Sequence, residues 1–93
     1  MEKIIFENLE FDAGCWEMFG VNILLIKAGN GALGCGYLNL EAAEKFGHAL
    51  AIVSGVAGYE DMFAAEVKSV SSAAGKLGVV PGMSGIEALK KMS

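Results

Sequence analysis

Charged residues and glycines divide this 93-residue chain into short apolar segments. The longest stretch without a charged side chain runs from Phe46 to Tyr59, and three glycines and a histidine interrupt it. A membrane-spanning helix needs about 20 consecutive apolar residues, so we expect no membrane contact. The N-terminus, MEKIIFENLEF, carries acids where a secretion signal has a basic region. These features predict a cytoplasmic protein built from short helices and strands.

The chain has more apolar material than one small core can bury. It is 54% hydrophobic and 19% charged, whereas a domain of this size buries only about 60–65% of the surface that its unfolded chain exposes. We therefore expect a single domain, residues 1–93, that associates with copies of itself as a homodimer or homotetramer. An apolar cluster lies near the N-terminus and consists of Trp16, Met18 and Phe19. Residues 1–20 are accordingly interpreted as a β segment used in oligomerisation.

Charge and ligand chemistry exclude several classes of partner. The net charge is −4 and there is no arginine, so a phosphate-binding surface for nucleic acid is not expected. Cys15 and Cys35 form no C-x-x-C pair, and the single histidine leaves too few soft ligands for zinc. The sequence predicts free thiols, no metal and no cofactor.

The segment GNGALG, residues 29–34, matches the dinucleotide-binding pattern G-x-G-x-x-G. That fingerprint needs a preceding strand, a helix that begins inside it, and an acid about 20 residues further on. Only the strand is expected here, since the first helix cap is Asn39 and no acid stands at Ser54 or Gly55. We interpret Asn30–Gly31 instead as a type I′ hairpin turn, in which both central residues need positive φ.

The residue pattern of the N-terminal half is typical of antiparallel β-hairpins. We expect a strand over 3–11, a turn at 12–14, and a long strand over 15–28 that bends or bulges at Gly20. In one continuous strand, Phe19 and Val21 lie on one face and Trp16 on the other. The return strand is predicted over 32–38.

Short helices and strands alternate in the second half. The capping residues are local signals: Asn39 for a helix over 40–46, Ser71 for one over 72–78, and Ser84 for the last helix, which has Glu87 at capping-box spacing. A buried strand is expected over 49–55 and a short helix within 56–63, while 64–70 fits either a strand or a helix. The fold class is α+β, with mixed α/β as the alternative, ending in a C-terminal helix.

The segment CGYLN, residues 35–39, is the candidate site. It combines a thiol, a phenol and an amide where a strand is expected to meet a helix, so Cys35, Tyr37 and Asn39 are candidate ligand-binding residues. Cys35 is also a candidate nucleophile, with His48 as its candidate base. Structural interpretations compete with these roles, and we favour them: Cys35 suits a core-facing strand position, and Asn39 is a helix cap.

Three segments together resemble the YunC-like family, small bacterial and archaeal proteins classed as a domain of unknown function. They are CGYLN at 35–39, Gly55–Val56 followed by Asp61–Met62, and GMSGIEAL at 82–89. The resemblance covers about residues 20–92. It implies an N-terminal β region used for tetramer formation, and it implies no catalytic residues.

The function predicted from the sequence is a homo-oligomeric interaction module or a small-ligand-binding module of unknown ligand. The alternative is a thiol-dependent enzyme that uses Cys35 near the strand–helix junction. The sequence does not decide whether the chain is an enzyme.

Overall fold

The computed structural model describes residues 2–93, which form a six-stranded sheet with four short helices. The strands are β1 (Glu2–Phe6), β2 (Leu9–Met18), β3 (Val21–Lys27), β4 (Ala32–Gly34), β5 (Leu50–Ile52) and β6 (Ser69–Val70). The helices are α1 (Leu40–Phe46), α2 (Tyr59–Ala64), α3 (Ser72–Lys76) and α4 (Gly85–Lys91). The strands lie in chain order across the sheet, and all neighbours are antiparallel except the parallel pair β4–β5. The α+β prediction with a C-terminal helix is confirmed.

Two tight turns divide the N-terminal region into a three-stranded meander. Glu7 and Asn8 both have positive φ, and so do Phe19 and Gly20, which is the feature of type I′ hairpin turns. The predicted strand over 3–11 and the predicted long strand over 15–28 were therefore wrong, because each contains a chain reversal. The predicted turn at 12–14 was also wrong, since those residues pair with β1 and β3 inside β2.

The turn at Phe19–Gly20 changes which side chains share a face. Trp16 lies opposite Ile23 and Met18 opposite Val21, and directly opposed residues of an antiparallel pair project to the same side. The prediction that Trp16 and Val21 lie on opposite faces was therefore wrong. We call this side of the sheet the outer face.

The β3–β4 hairpin is present, but its turn is not of type I′. Neither Asn30 nor Gly31 has positive φ, and the Ala28 N–H donates to the Gly31 carbonyl at 2.8 Å. Gly31 is required for a different reason: a Cβ there would crowd the Met92 sulfur and the Ala49 side chain. The helix that follows begins at Leu40 and not inside residues 29–34, so no dinucleotide fingerprint is formed.

The local helix signals are confirmed. Asn39 Oδ1 accepts the Glu41 N–H at 2.8 Å, and Gly47 ends α1 in the left-handed conformation. Ser71 caps α3. Ser84 caps α4: its Oγ accepts the Glu87 N–H at 3.3 Å and donates to the Glu87 carboxylate at 3.1 Å, so the predicted pair is in contact through its side chains. The ambiguous segment 64–70 is extended: a backbone bridge joins Glu66 to Ser84, and β6 follows.

The core lies on the face of the sheet opposite the outer face. The residues that form it come from the strands, from α2, α3 and α4, and from the segments that connect them; they include Leu24, Ile26, Leu33, Val53, Met62, Phe63, Ala74 and Leu89. Gly85 permits the contact between α4 and α2, because a Cβ at this position would overlap the Met62 carbonyl oxygen. Within residues 2–93, no helix is long and apolar enough to cross a membrane.

The N-terminal segment contributes to this core. Phe11 and Ala13 of β2 are buried in it, and the ring of Phe6 stacks on Phe63 at 4.2 Å between centroids. The N-terminal segment as far as Ala13 therefore helps to build the domain, and only the part beyond Ala13 projects from it.

Candidate functional site

The predicted site residue Cys35 is a core residue in the structure. Its side chain is 5% exposed. Its N–H donates to the Leu24 carbonyl at 3.1 Å, and its Sγ accepts the Leu24 N–H at 3.3 Å. The Leu38 N–H donates to the Cys35 carbonyl at 3.1 Å, which closes a turn directly after β4. Cys15 lies exposed across β3 from Cys35, and both are free thiols.

The other predicted site residues do not share a cavity with Cys35. Tyr37 is 58% exposed, and the Asn39 oxygen is occupied as the helix cap. His48 is exposed, and its ring stacks on Phe46 with 5.9 Å between centroids. Of this set, the structure brings together Asn39 and His48, which both line a groove beside α1. The roles assigned to these residues stay predictions.

The α1 groove is formed where helix α1 crosses the outer face of β3, β4 and β5. It consists of two adjoining clefts of about 350 and 390 Å³, which share Leu25, Ala32, His48 and Ala49. Further side chains that line the two clefts are Lys27, Leu38, Asn39, Ala42, Phe46 and Leu50. The walls are thus mainly apolar. None of the lining residues is acidic.

A projecting hairpin, which we call the arm, is formed by Cys15–Leu24. Strand β1 pairs with β2 only as far as Ala13, so the arm extends beyond β1 as a two-stranded ribbon. Its outer face is apolar and open: Trp16 is 50% exposed, Met18 42% and Val21 47%. Large adjoining apolar side chains on a surface mark an interaction site.

The tip of the arm carries one aromatic ring and one negative charge. Phe19 is 89% exposed, the highest value among the large hydrophobic residues that the structure describes. Beside it, Glu17 Oε2 accepts the Gly20 N–H at 2.8 Å, which holds the carboxylate against the turn. Near its tip the arm is also braced against the rest of the domain by Asn22, whose side-chain amide donates to the Ala57 carbonyl at 3.1 Å.

The structure also identifies a buried phenol that sequence reasoning missed. The Tyr59 hydroxyl oxygen is buried without a hydrogen-bond partner among the described residues. Burial raises the pKa of Tyr59 above its usual value, and the nearby Glu2 carboxylate adds to this shift. No sequence signal marks it, because Glu2 approaches Tyr59 only through the fold. Among residues 2–93, His, Cys, Asp and Glu side chains do not gather in threes as a metal site requires.

Comparisons with known proteins give a family and a fold. The family model Domain of unknown function (DUF1805) matches residues 34–92. No curated protein matches the chain. The fold is similar to the crystal structure of a protein of unknown function, TA1206, from Thermoplasma acidophilum, with a TM-score of 0.91 and 29% sequence identity over 99% of this chain and 90% of that chain. Because the family model covers more than half of its residues, this protein belongs to the DUF1805 family.

Proposed function

We propose that this protein is a self-associating interaction module and that the arm is the contact between its copies. The observation that carries the proposal is the apolar ribbon beyond Ala13, in which Trp16 is 50% exposed, Met18 42% and Phe19 89%. A two-stranded hairpin is at best marginally stable in water without further packing. Covering the arm with another copy supplies that packing.

The energy available from the arm is sufficient to matter. Complete burial of a large apolar side chain contributes about 1.5–3 kcal/mol. Scaled by their exposed fractions, Trp16, Met18, Phe19 and Val21 together offer on the order of 5 kcal/mol per copy. A stable interface normally buries about 1,200–2,000 Å² in total, so the arm needs further surface from its partner.

The proposal also includes the number of copies in the assembly and the location of the protein in the cell. The resemblance of residues 20–92 to the YunC-like family supports a homotetramer over a homodimer. The two free thiols support a cytoplasmic location, because paired cysteines are typical of oxidising compartments.

The small-ligand and thiol-enzyme alternatives have less support. In the α1 groove, Asn39 already uses its oxygen as a helix cap. Cys35 is buried against Leu24, and a buried thiol among apolar neighbours reacts slowly. His48 lines the α1 groove, and Cys35 does not. The candidate base and the candidate nucleophile therefore do not share this cavity.

Light scattering on Met18→Glu tests the proposal. The substitution places a charge on the outer face of the arm without touching the core, so we expect the mass to fall from a multiple of the chain mass to 9.7 kDa. Val80→Glu is the matched control, because Val80 is 53% exposed, against 42% for Met18, and lies outside the arm. Wild-type protein that is monomeric, or a Met18→Glu variant that keeps the wild-type mass, would refute the arm as the contact.

A further inference from the structure

We propose that Asn30 is a site of spontaneous deamidation and that its contacts with Met92 and Ser93 control when it reacts. Hydrolysis of the side-chain amide gives aspartate or isoaspartate at this position. The change is a covalent modification of the chain itself, so it is independent of the self-association proposed above.

Asn30 is chemically the most labile of the four asparagines in the sequence. Asparagine is a thermolabile residue, and it deamidates when the backbone nitrogen of the next residue attacks its Cγ. A following glycine leaves this nitrogen open, because glycine has no side chain. Asn8, Asn22 and Asn39 are each followed by leucine or isoleucine, whose side chains shield the nitrogen from the attack.

The reaction needs no reagent except water. The Gly31 nitrogen forms a bond to Asn30 Cγ, the bond from Cγ to Nδ2 breaks, and the proton of the Gly31 N–H leaves with the amide group as ammonia. Water then opens the cyclic imide at either of its carbonyls, which gives aspartate or isoaspartate. A neutral side chain that donates hydrogen bonds is thereby replaced by an ionised one that only accepts them.

The structure leaves both reacting groups accessible. Asn30 is exposed, so water can reach the imide. Within residues 2–93 the Gly31 N–H donates no hydrogen bond, so its nitrogen can react without leaving an acceptor. The packing also keeps glycine at this position, because a Cβ on Gly31 would lie 2.5 Å from the Met92 sulfur and 2.9 Å from the Ala49 Cβ. The fold therefore preserves the reactive pair.

The end of α4 holds the asparagine in place. The Asn30 N–H donates to the Met92 carbonyl at 2.6 Å, and Asn30 Nδ2 donates to the Ser93 backbone oxygen at 3.2 Å. The Ser93 hydroxyl in turn donates to the Leu89 carbonyl at 2.7 Å, which fixes Ser93 on α4. Because the amide group that leaves is the group held by Ser93, the reaction requires this contact to open.

Deamidation then makes the opening permanent. An ionised aspartate donates no hydrogen bond, so it faces the Ser93 backbone oxygen as one acceptor against another. The segment 92–93 docks again less often, and the Met92 side chain, which is fully buried in the intact protein, loses part of its cover. Modified chains therefore accumulate in proportion to how often the end of α4 has opened.

Mass spectrometry of proteolytic fragments tests the site. Native wild-type protein is incubated in mildly alkaline buffer, digested with trypsin and compared with a zero-time sample. Cleavage after Lys27 and Lys45 gives a fragment, residues 28–45, that contains both Asn30 and Asn39, so the two asparagines are compared within one peptide. We expect conversion at Asn30 alone. An Asn30 that stays unreacted, or an Asn39 that converts at the same rate, would overturn the deamidation site.

A variant of Ser93 tests the control by the end of α4. Ser93→Ala removes the hydroxyl that fixes this residue to Leu89, and it should speed the deamidation of Asn30 about fivefold, which is the effect of one ordinary hydrogen bond on an equilibrium. Ser54→Ala, at an exposed position outside this contact, is the matched control and should react at the wild-type rate. A wild-type rate in Ser93→Ala overturns the control by the C-terminal contact.

Hydrogen exchange tests the consequence. Asn30→Asp carries the charge of the product, whereas Asn30→Ala lacks only the amide group. The protection of the N–H at position 30 reports its bond to the Met92 carbonyl, and this protection should be lower in Asn30→Asp than in Asn30→Ala. Equal protection in the two variants overturns the claim that deamidation keeps the segment 92–93 open.

Discussion

Ser71 is predicted to stabilise the domain more than any other helix cap in the structure. It is fully buried. Its Oγ donates to the His48 carbonyl at 2.7 Å and accepts the Leu50 N–H at 2.9 Å and the Ala74 N–H at 3.3 Å. One hydroxyl therefore caps α3 and anchors the start of β5. Ser71→Ala removes all of these hydrogen bonds and adds no bulk.

The expected loss follows from these contacts. A capping serine contributes about 1 kcal/mol, with a range of roughly 0.5–2. A buried polar group left without a partner costs about 1–3 kcal/mol, and the substitution strands two partly buried backbone groups, at His48 and Leu50. We expect Ser71→Ala to lower the free energy of unfolding by about 3 kcal/mol in total.

Urea unfolding followed by circular dichroism measures this loss, with protein concentration held fixed because the proposed self-association would add to the apparent stability. Ser84→Ala is the matched control, since the Ser84 hydroxyl caps α4 at a more exposed position and its loss should cost about 1 kcal/mol. Equal losses for the two variants would show that the hydrogen bonds to β5 contribute nothing. That result would refute the argument from buried polar groups.

Three further predictions concern single positions. Gly85→Ala should lower the free energy of unfolding by about 3 kcal/mol or more, because the added methyl group overlaps a carbonyl oxygen of α2. Gly75→Ala, at a position with open space around it, should instead raise the free energy of unfolding by about 0.5–1 kcal/mol. Similar urea midpoints for the two variants would contradict both expectations. Tyr59→Phe should raise the free energy of unfolding by about 1 kcal/mol, because the hydroxyl is buried without a hydrogen-bond partner in residues 2–93. Since the pKa of Tyr59 is raised in the folded state, wild-type stability should also fall as pH rises above 10, and melting curves of the variant should lack that part of the fall. In a Cys15→Ser background, Cys35 should react with iodoacetamide at least tenfold faster after unfolding, and rapid labelling of the native protein would favour the thiol-enzyme alternative.

Local signals in the sequence predicted the helix termini correctly. Asn39, Ser71 and Ser84 each bond to an N–H within the next three residues, so the information lies within one helical turn. For Ser71, these local signals indicate only a helix cap. Its bonds to His48 and Leu50 span more than twenty residues and arise only when β5 and α3 meet.

The turns and the candidate site were harder to predict because pairing between strands decides them. Phe19–Gly20 lacks the Asn-Gly signature, yet it forms the positive-φ turn, whereas Asn30–Gly31 has the signature and does not. A misplaced turn reverses which side chains share a face. For this reason the arm was recognised by composition while its outer face was assigned wrongly. The α1 groove joins residues from three strands and a helix, so no single segment could reveal it.

The short length of β1 has a consequence for the behaviour of the chain before assembly. Beyond Ala13, the backbone of Cys15–Met18 faces no strand on the β1 side among the described residues. An open edge with apolar side chains and little charge is a template for misassembly into aggregates. The two edge strands of the sheet are protected against such pairing, because β1 carries Lys3 in an ion pair with Asp12 and β6 is only two residues long. Burying the arm in the proposed assembly would therefore protect newly made chains from precipitation, so that selection for solubility and selection for assembly would act on the same residues.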